Sequence, residues 1–411
     1  MRFTRPLVCA FLTLFSASLL CVADLCAADP APKIEDPLKD SGFVHFYNNE
    51  FDQAIACFEQ EITSHPDDPH LYNHLAQAVL YREMFRDGAL ESQLVGNSNP
   101  FLRRAKMEIS AQDKLRFTDA LDQSIKLTSA ALQKDPNDIS ALYALGVAHG
   151  LRANYLFLVE KAWMESLKEA TAARKADQRI LEVDPSFVDA RLVLGLDRYV
   201  LACLPFYLRA IGSIGGFHGD REGGIRQLEL VAKTGVINRY DAEVLLAAIY
   251  RREKRPEEAI PLLKELAETF PRNYLFRLEQ VQMYSDFGDK NSALEVLARI
   301  DDLRRSSAPG YATLPSEKVK YLKGNLLFWY GDLDPALADL KEATQRADEL
   351  DLNTAVLAWL RLGQVYDLQG KHQEAIEAYE ATMKTAPKSE AATEAKSYIS
   401  NPYRRKRAAA G

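Results

Sequence analysis

The sequence predicts an all-α protein: a right-handed α-solenoid of about seven to eight helix pairs, with extended central repeats and a C-terminal capping helix. Three observations predict this fold. An amphipathic pattern of about 34 residues recurs along the chain. Prolines that stop helices punctuate the pattern, and an apolar content of 47% is ample for a packed core. Because one helix pair cannot bury its apolar stripe alone, stacked pairs would share a single core over residues 29–400.

The clearest unit covers residues 356–389. Gly363 would let the second helix approach the first closely, and Gly370 would end the first helix in a left-handed cap. The unit resembles a tetratricopeptide repeat, and this resemblance implies a helical interaction scaffold. The residues that match the repeat in order are Trp359, Leu362, Gly363, Tyr366, Gly370, Ala375, Tyr379 and Pro387.

The same pattern fits four further stretches, at residues 35–68, 240–273, 274–303 and 317–350. Between Pro136 and Pro271 the helix-stopping prolines are spaced more widely than one unit, which predicts longer helices, notably one over 152–182. Close-packing glycines are expected at Gly146 and Gly195. Residues 401–411, with the run "RRKR", are expected to form a basic flexible tail.

The first 28 residues differ from the rest of the chain. Two arginines precede an uncharged apolar run, and small residues follow it, which is the layout of a secretory signal peptide. Cleavage would send the chain to the periplasm or cell surface, while an uncleaved membrane anchor is the alternative. The remaining chain has no second long apolar segment, so no membrane span is expected there. A net charge of −7 makes nucleic acid an unfavourable partner.

The resemblance to tetratricopeptide repeats implies that first-helix positions five, nine and twelve of each unit line a concave groove. These positions are mainly apolar and aromatic, which favours an extended peptide or a partner helix. In the central repeats, however, long helices could equally fill the groove and turn its residues into core. The predicted partner-binding residues are Tyr143, Leu192, Leu196, Tyr199, Tyr321, Asn325 and Phe328. The same register places Leu278, Gln282, Ser285, Gln364 and Asp367 at groove positions.

A glycine-rich segment, "GGFHGDREGG", interrupts the helical pattern at residues 215–224. It lacks the Lys-Ser/Thr and the preceding strand that a phosphate-binding loop requires. We interpret it as a corner in which Asp220 caps the next helix and the glycines allow close packing. The alternative is an anion site at this helix start, formed around Asp220 and Arg221.

A narrower resemblance covers residues 70–280. The segments "LYREMF", "LPFYLRAI", "GFHGDREGGIRQL" and "PRNYLF" occur in this order, and together they are similar to the tetratricopeptide repeat protein 39 and inclusion-body-clearance family and its bacterial relatives. That resemblance implies a scaffold without enzymatic activity. The signal peptide departs from the intracellular members of that family.

The remaining patterns do not indicate an enzyme. His70 and His74 share a helical face, but no third metal ligand is evident, so we expect a solvated surface there. The sequence predicts no catalytic residue, metal or cofactor. The favoured function is a non-catalytic exported scaffold for a protein partner. The alternative is a periplasmic carrier of an apolar small molecule held near residues 204–217.

Overall fold

A computed structural model describes residues 40–90, 106–203 and 219–405, and the regular structure within these ranges is helical, without strands. The predicted signal peptide at 1–28 lies outside them. The α-helices in chain order are α1 (Ser41–Tyr47), α2 (Phe51–Ser64), α3 (Pro69–Arg86), α4 (Ala111–Lys134), α5 (Ile139–Tyr155), α6 (Trp163–Val183), α7 (Arg191–Cys203), α8 (Arg221–Thr234), α9 (Arg239–Arg252), α10 (Pro256–Thr269), α11 (Tyr274–Phe287), α12 (Lys290–Arg305), α13 (Ser316–Tyr330), α14 (Leu333–Gln345), α15 (Leu352–Leu368), α16 (His372–Thr385) and α17 (Glu390–Ser400).

These helices pack as eight successive pairs, from α1 and α2 to α15 and α16, and α17 packs against the last pair. We call the odd-numbered member of each pair its first helix. The pairing confirms the prediction of an all-α solenoid. The expected continuous helix over 152–182 is wrong, because a π-helical turn (Leu156–Glu160) and a left-handed Lys161 separate α5 from α6. This break is where the chain turns from the first to the second helix of the third pair.

Local sequence explains where the helices begin and end. The side chain of Asp138 accepts a hydrogen bond from the amide of Ala141, and Asp351 does the same for Thr354, so both satisfy free amides at a helix start. Gly288 and Gly331 end α11 and α13 with φ angles of 92° and 90°, which side chains disfavour. Short-range chemistry therefore sets these boundaries of the solenoid.

Glycines control how closely the two helices of a pair approach. A Cβ atom on Gly224 of α8 would lie 2.6 Å from the carbonyl oxygen of Gly195 on α7. At Gly363 the atom would lie 2.4 Å from the ring of Tyr379, whereas at Gly146 the nearest atom would be 3.4 Å away, an ordinary contact. The predicted close packing is thus strict at two of these positions and relaxed at the third.

The first pair closes back onto the loop between α10 and α11. The Tyr47 ring stacks on Phe270 with centroids 4.8 Å apart, and its edge meets Tyr240 at 5.6 Å. Arg272 donates from Nε and Nη2 to the two oxygens of Glu50, at 2.7 and 2.9 Å. These contacts join residues more than 190 positions apart in sequence.

Further hydrogen bonds secure the same closure. Asn273 donates to the backbone oxygen of Tyr47 at 2.9 Å, and Asn49 donates to Asn273 Oδ1 at 2.7 Å. Burial raises the pKa of Glu50, but the hydrogen bonds from Arg272 and His45 outweigh it, so the pKa lies below its usual value. The described residues from 40 to 273 form what we call the closed half. Residues 274–405 form the C-terminal half.

Candidate functional site

In the closed half, two of the predicted groove residues are core residues. Tyr143 is buried, donates from its hydroxyl to Asn238 Oδ1 at 2.9 Å, and packs against Phe187. Tyr199 is also buried and donates to Glu253 at 2.7 Å. Leu192 and Leu196 of α7 are half-buried. The two buried tyrosines agree with the alternative in which the groove of the central repeats is filled and its residues are core. Contact between a partner and any of these four residues stays a prediction.

A polar interior accompanies this closure. Burial, together with the nearby half-buried carboxylate of Asp241 at the start of α9, raises the pKa of Tyr47. Burial, with a small contribution from the nearby charge of Asp189, raises the pKa of Asp241 to about 6, despite the opposing hydrogen bond from Tyr47. Closing the first five pairs therefore places an ionisable group where its charged form is disfavoured.

The two histidines of α3 are half-buried against neighbouring helices, which departs from the expectation of a solvated surface. His70 forms a hydrogen bond with Ser140 Oγ at 2.9 Å. His74 packs against the rings of Phe43 and Phe58, at 4.6 and 5.3 Å, and burial lowers its pKa to about 3. The repeat pattern gave no indication of this burial, because the residues that cover α3 belong to other repeats.

The described part of the glycine-rich segment behaves as a corner. Asp220 lies at the N-cap of α8, where its carboxylate accepts the amide of Gly223 at 2.9 Å. Arg221 pairs with Glu253 at 3.1 Å. Residues 215–218 lie outside the described residues. An anion site at Asp220 and Arg221 stays a prediction, although Asp220 itself already occupies one of the amides that an anion would need.

In the C-terminal half, part of the predicted groove remains accessible. Asn325 is half-buried, whereas Tyr321 and Phe328 are buried, with Phe328 fully covered. A small depression of about 20 Å³, enough for about one water molecule, lies between the first helices α11 and α13, and it includes residues at groove positions of two repeats. Its lining residues are Leu275, Leu278, Glu279, Val281, Gln282, Ser285, Leu322, Asn325 and Leu326.

A cationic and aromatic cluster adjoins this depression, and the sequence patterns did not predict it. The Arg361 guanidinium lies over the rings of Phe328 and Trp329, at 4.4 and 4.7 Å, and donates to Asn325 Oδ1 at 2.8 Å and Gln364 Oε1 at 2.6 Å. Burial lowers the pKa of Arg361 from its usual value. The only sequence signal was an arginine inside the best-matching repeat, next to Leu362.

Asp367 anchors the other side of this cluster. Its fully buried carboxylate accepts the Tyr379 hydroxyl at 2.7 Å, pairs with His372 at 2.6 Å and accepts the Tyr403 amide at 2.7 Å. The hydrogen bond with Asp367 raises the pKa of His372. Asp367 is a predicted groove position, but its network depends on α16 and on residues beyond α17.

The expectation of a flexible tail over residues 401–411 is wrong for its first five residues. Tyr403 packs against Phe328 and Tyr398, with ring centroids 6.0 and 5.3 Å away. Arg405 lies 4.9 Å over the Phe328 ring and donates to the backbone oxygen of that residue. Aromatic and cation–π contacts explain why this basic segment packs. Residues 406–411 lie outside the described residues.

A second cavity, between α6 and α7, bears on the alternative of an apolar ligand. Most of its lining is polar or charged, including Arg174, Glu182 and Asp197. Residues 204–217, where that ligand was expected, lie outside the described residues. Among the residues that are described, no group of three or more His, Cys, Asp or Glu side chains could hold a metal ion. None of their helices is both long and apolar enough to cross a bilayer.

Stacked helix pairs whose first helices share one face define an α-helical repeat protein of the solenoid class. Models of the tetratricopeptide repeat match residues 42–82 and 356–389, at α1–α3 and at α15–α16. The chain therefore contains tetratricopeptide repeats, units that typically serve as scaffolds for protein–protein interaction. The narrower resemblance to the tetratricopeptide repeat protein 39 family is not confirmed.

A search of curated proteins finds no match to the chain. Among solved structures, the chain is similar to the human IFIT1 dimer with PPP-AAAA, at 15% identity over 82% of this chain and 69% of the other, with a TM-score of 0.42. It is similar to yeast Tom70 at 12% identity, over 89% of this chain and 88% of Tom70, with a TM-score of 0.37. It is also similar to YrrB, described as a TPR protein with an unusual peptide-binding site. The sequence identity is 16%, the match covers 66% of this chain and 97% of YrrB, and the TM-score is 0.28.

Proposed function

We propose that this chain is an exported, non-catalytic scaffold that binds an extended segment of a partner protein along the first helices of its C-terminal half. The observation that carries the proposal is the depression between α11 and α13. Gln282, Ser285 and Asn325 line it, and all three are half-buried residues at groove positions. Both halves bury two predicted groove residues, Tyr143 and Tyr199 in one and Tyr321 and Phe328 in the other, so the proposal rests on the depression itself.

The chemistry of the depression fits a peptide backbone. Leu278 and Leu322 supply apolar walls, while the amides of Gln282 and Asn325 supply donors and acceptors. An extended segment exposes unpaired backbone amides and carbonyls, together with side chains that need apolar pockets. The mixed lining therefore favours a peptide over a wholly apolar small molecule.

Filling the depression tests the proposal. Ser285→Trp adds a bulky side chain to it without deleting core packing, and Ala298→Trp makes the same change at an exposed position of α12. The tagged chain is expressed and cross-linked in its source cells, and captured proteins are identified by mass spectrometry. We expect one dominant partner to fall at least about tenfold with Ser285→Trp, which corresponds to about 1.4 kcal/mol. Ala298→Trp should leave its capture unchanged.

Equal capture by both variants, with unchanged melting temperatures, would exclude the depression as the binding site. Export is tested separately by the mass of the chain recovered from the cell envelope. The arginine-flanked apolar run at the N-terminus supports removal of residues 1–28. A recovered chain that retains these residues would contradict cleavage and favour the anchored alternative.

A further inference from the structure

Residues 401–405 follow a path that suggests a role beyond ending the chain. After α17 the chain turns back, places Tyr403 beside Asp367 of α15, and then places Arg405 beside Phe328 of α13. It thus passes two successive first helices in the reverse of their chain order. Asn325 of α13 accepts a hydrogen bond from Arg361 in this cluster and also lines the depression. The tail therefore contacts Phe328, about one helical turn along α13 from Asn325 of the proposed peptide site.

The residues that receive the tail are held in place by one another. Asn325 and Gln364 position Arg361 through hydrogen bonds of 2.8 and 2.6 Å. Tyr379 and His372 hold the Asp367 carboxylate. Neither set of contacts involves residues 401–405. A site of this kind can persist when the tail leaves, because its main groups keep their partners.

The tail itself is held by few groups. Its contacts are the Tyr403 ring and amide and the Arg405 guanidinium, while Arg404 between them is exposed and makes no hydrogen bond or ring contact among the described residues. Pro402 is also exposed. The features of the tail that the site recognises are therefore an aromatic side chain and, two positions later, a cation over the face of Phe328.

We propose that the C-terminal tail is an intramolecular ligand of this groove, and that the partner displaces it with an extended segment carrying an aromatic residue followed two positions later by arginine or lysine. This inference rests on the proposed function, and it names the chemistry of the partner at that site. A ligand tethered through α17 competes at an effective concentration on the order of millimolar. A partner peptide should then bind the intact chain more weakly than a chain whose tail cannot dock.

The test uses the full chain and a fluorescent peptide with the sequence of residues 400–411. Binding is followed by anisotropy for the wild type, for the double variant Tyr403→Ala/Arg405→Ala, and for Arg404→Ala. The last variant removes a charge from the same segment without removing a contact. We expect the double variant to bind the peptide at least about tenfold more tightly than the wild type, and Arg404→Ala to match the wild type.

Two further measurements locate the binding site. A peptide with alanine at the positions of Tyr403 and Arg405 should not bind the double variant. Adding Phe328→Leu to the double variant keeps an apolar side chain but removes the aromatic face, and should weaken binding about tenfold. If the double variant unfolds, Arg405→Ala alone replaces it, because that change removes only an exposed side chain, and a smaller gain in affinity is expected.

Equal peptide affinity in the wild type and a folded double variant would overturn the proposal. So would an absence of binding in a folded variant, which would make the tail a structural clasp only. Failure of the tail proposal can be distinguished from failure of the groove proposal, which the Ser285→Trp experiment tests. Loss of partner capture there, with no competition by the tail here, would retain the groove and exclude the tail as its ligand.

Discussion

The closed half and the C-terminal half use the same helix-pair unit but treat its concave face differently. In the closed half, the groove positions Tyr143 and Tyr199 are buried and hydrogen-bonded to residues of later repeats. In the C-terminal half, Tyr321 is also buried, and Phe328 is covered in part by the chain's own tail. Gln282 and Asn325 remain partly accessible there, as Leu192 and Leu196 do in the closed half. The comparison shows that a groove position is core or surface according to what the superhelix brings opposite it.

Two tyrosine substitutions would test this difference most strongly. Tyr47→Ala and Tyr379→Ala each remove a buried ring, and each should cost about 3 to 4 kcal/mol of unfolding free energy. Because Tyr47 joins the first pair to Phe270 and Tyr240, its loss should raise hydrogen exchange in α1, α2, α9 and the α10–α11 loop together. Tyr379→Ala should raise exchange only in α15–α17. Increased exchange confined to residues 40–90 in Tyr47→Ala would contradict closure.

Glycine substitutions compare how the two halves pack their pairs. A Cβ atom at Gly224 would meet the backbone of α7, which cannot move aside, whereas at Gly363 it would meet the ring of Tyr379. We expect Gly224→Ala to cost about 2 to 3 kcal/mol and Gly363→Ala about 1 to 2 kcal/mol, by urea denaturation. Gly146→Ala, with its nearest contact at 3.4 Å, is the control and should be neutral or slightly stabilising. Equal costs at all three positions would contradict the packing argument.

Charge in the closed half provides a third test. The pKa of Asp241 is about 6 in the folded state and 3.8 as its ordinary value, so the folded chain binds the proton more tightly. This contribution to stability is fully present below about pH 4 and is lost as the pH rises through 6. Asp241→Asn keeps an acceptor for Tyr47 and removes the charge. It should raise stability at pH 7.5 by on the order of 2 kcal/mol.

Melting temperatures between pH 4 and 7.5 check this expectation. The wild type should lose stability across this range relative to Asp241→Asn, and the two should converge near pH 4. Asp334→Asn removes an acidic side chain in the first turn of α14, outside the closed half, and serves as the control. If the stability of Asp241→Asn follows the same pH profile as that of the wild type, burial does not raise the pKa of Asp241.

Local features of the fold were predictable from the sequence. The eight pairs follow from helical periodicity and prolines, and the N-cap role of Asp220 follows from a carboxylate placed just before a helix. Close packing was also expected at both members of the Gly195–Gly224 contact, at Gly195 inside a helical pattern and at Gly224 in the glycine-rich corner. Each of these features depends on residues within one repeat or between adjacent helices.

The candidate site was only partly predictable. Asn325 and Phe328 were identified from their repeat positions, but the role of Arg361 depends on Trp329, Asn325 and Gln364, which belong to two repeats. Tyr403 and Arg405 were placed in a flexible tail because a basic segment after a capping helix has no local reason to pack. Their contacts appear only once α17 directs the chain back toward α15 and α13.

The sequence by itself determined the repeat, an approximate number of helix pairs and the close-packing glycines, because these depend on spacings of a few residues. Only the tertiary structure decided that the first pair meets the α10–α11 loop and that the tail covers Phe328. The physical reason is cumulative rotation. Each helix pair turns slightly relative to the one before it, and small side-chain differences in every pair add up over five repeats. The total rotation cannot be inferred from any local sequence pattern. It nevertheless determines which groove residues are core and which remain accessible to a partner.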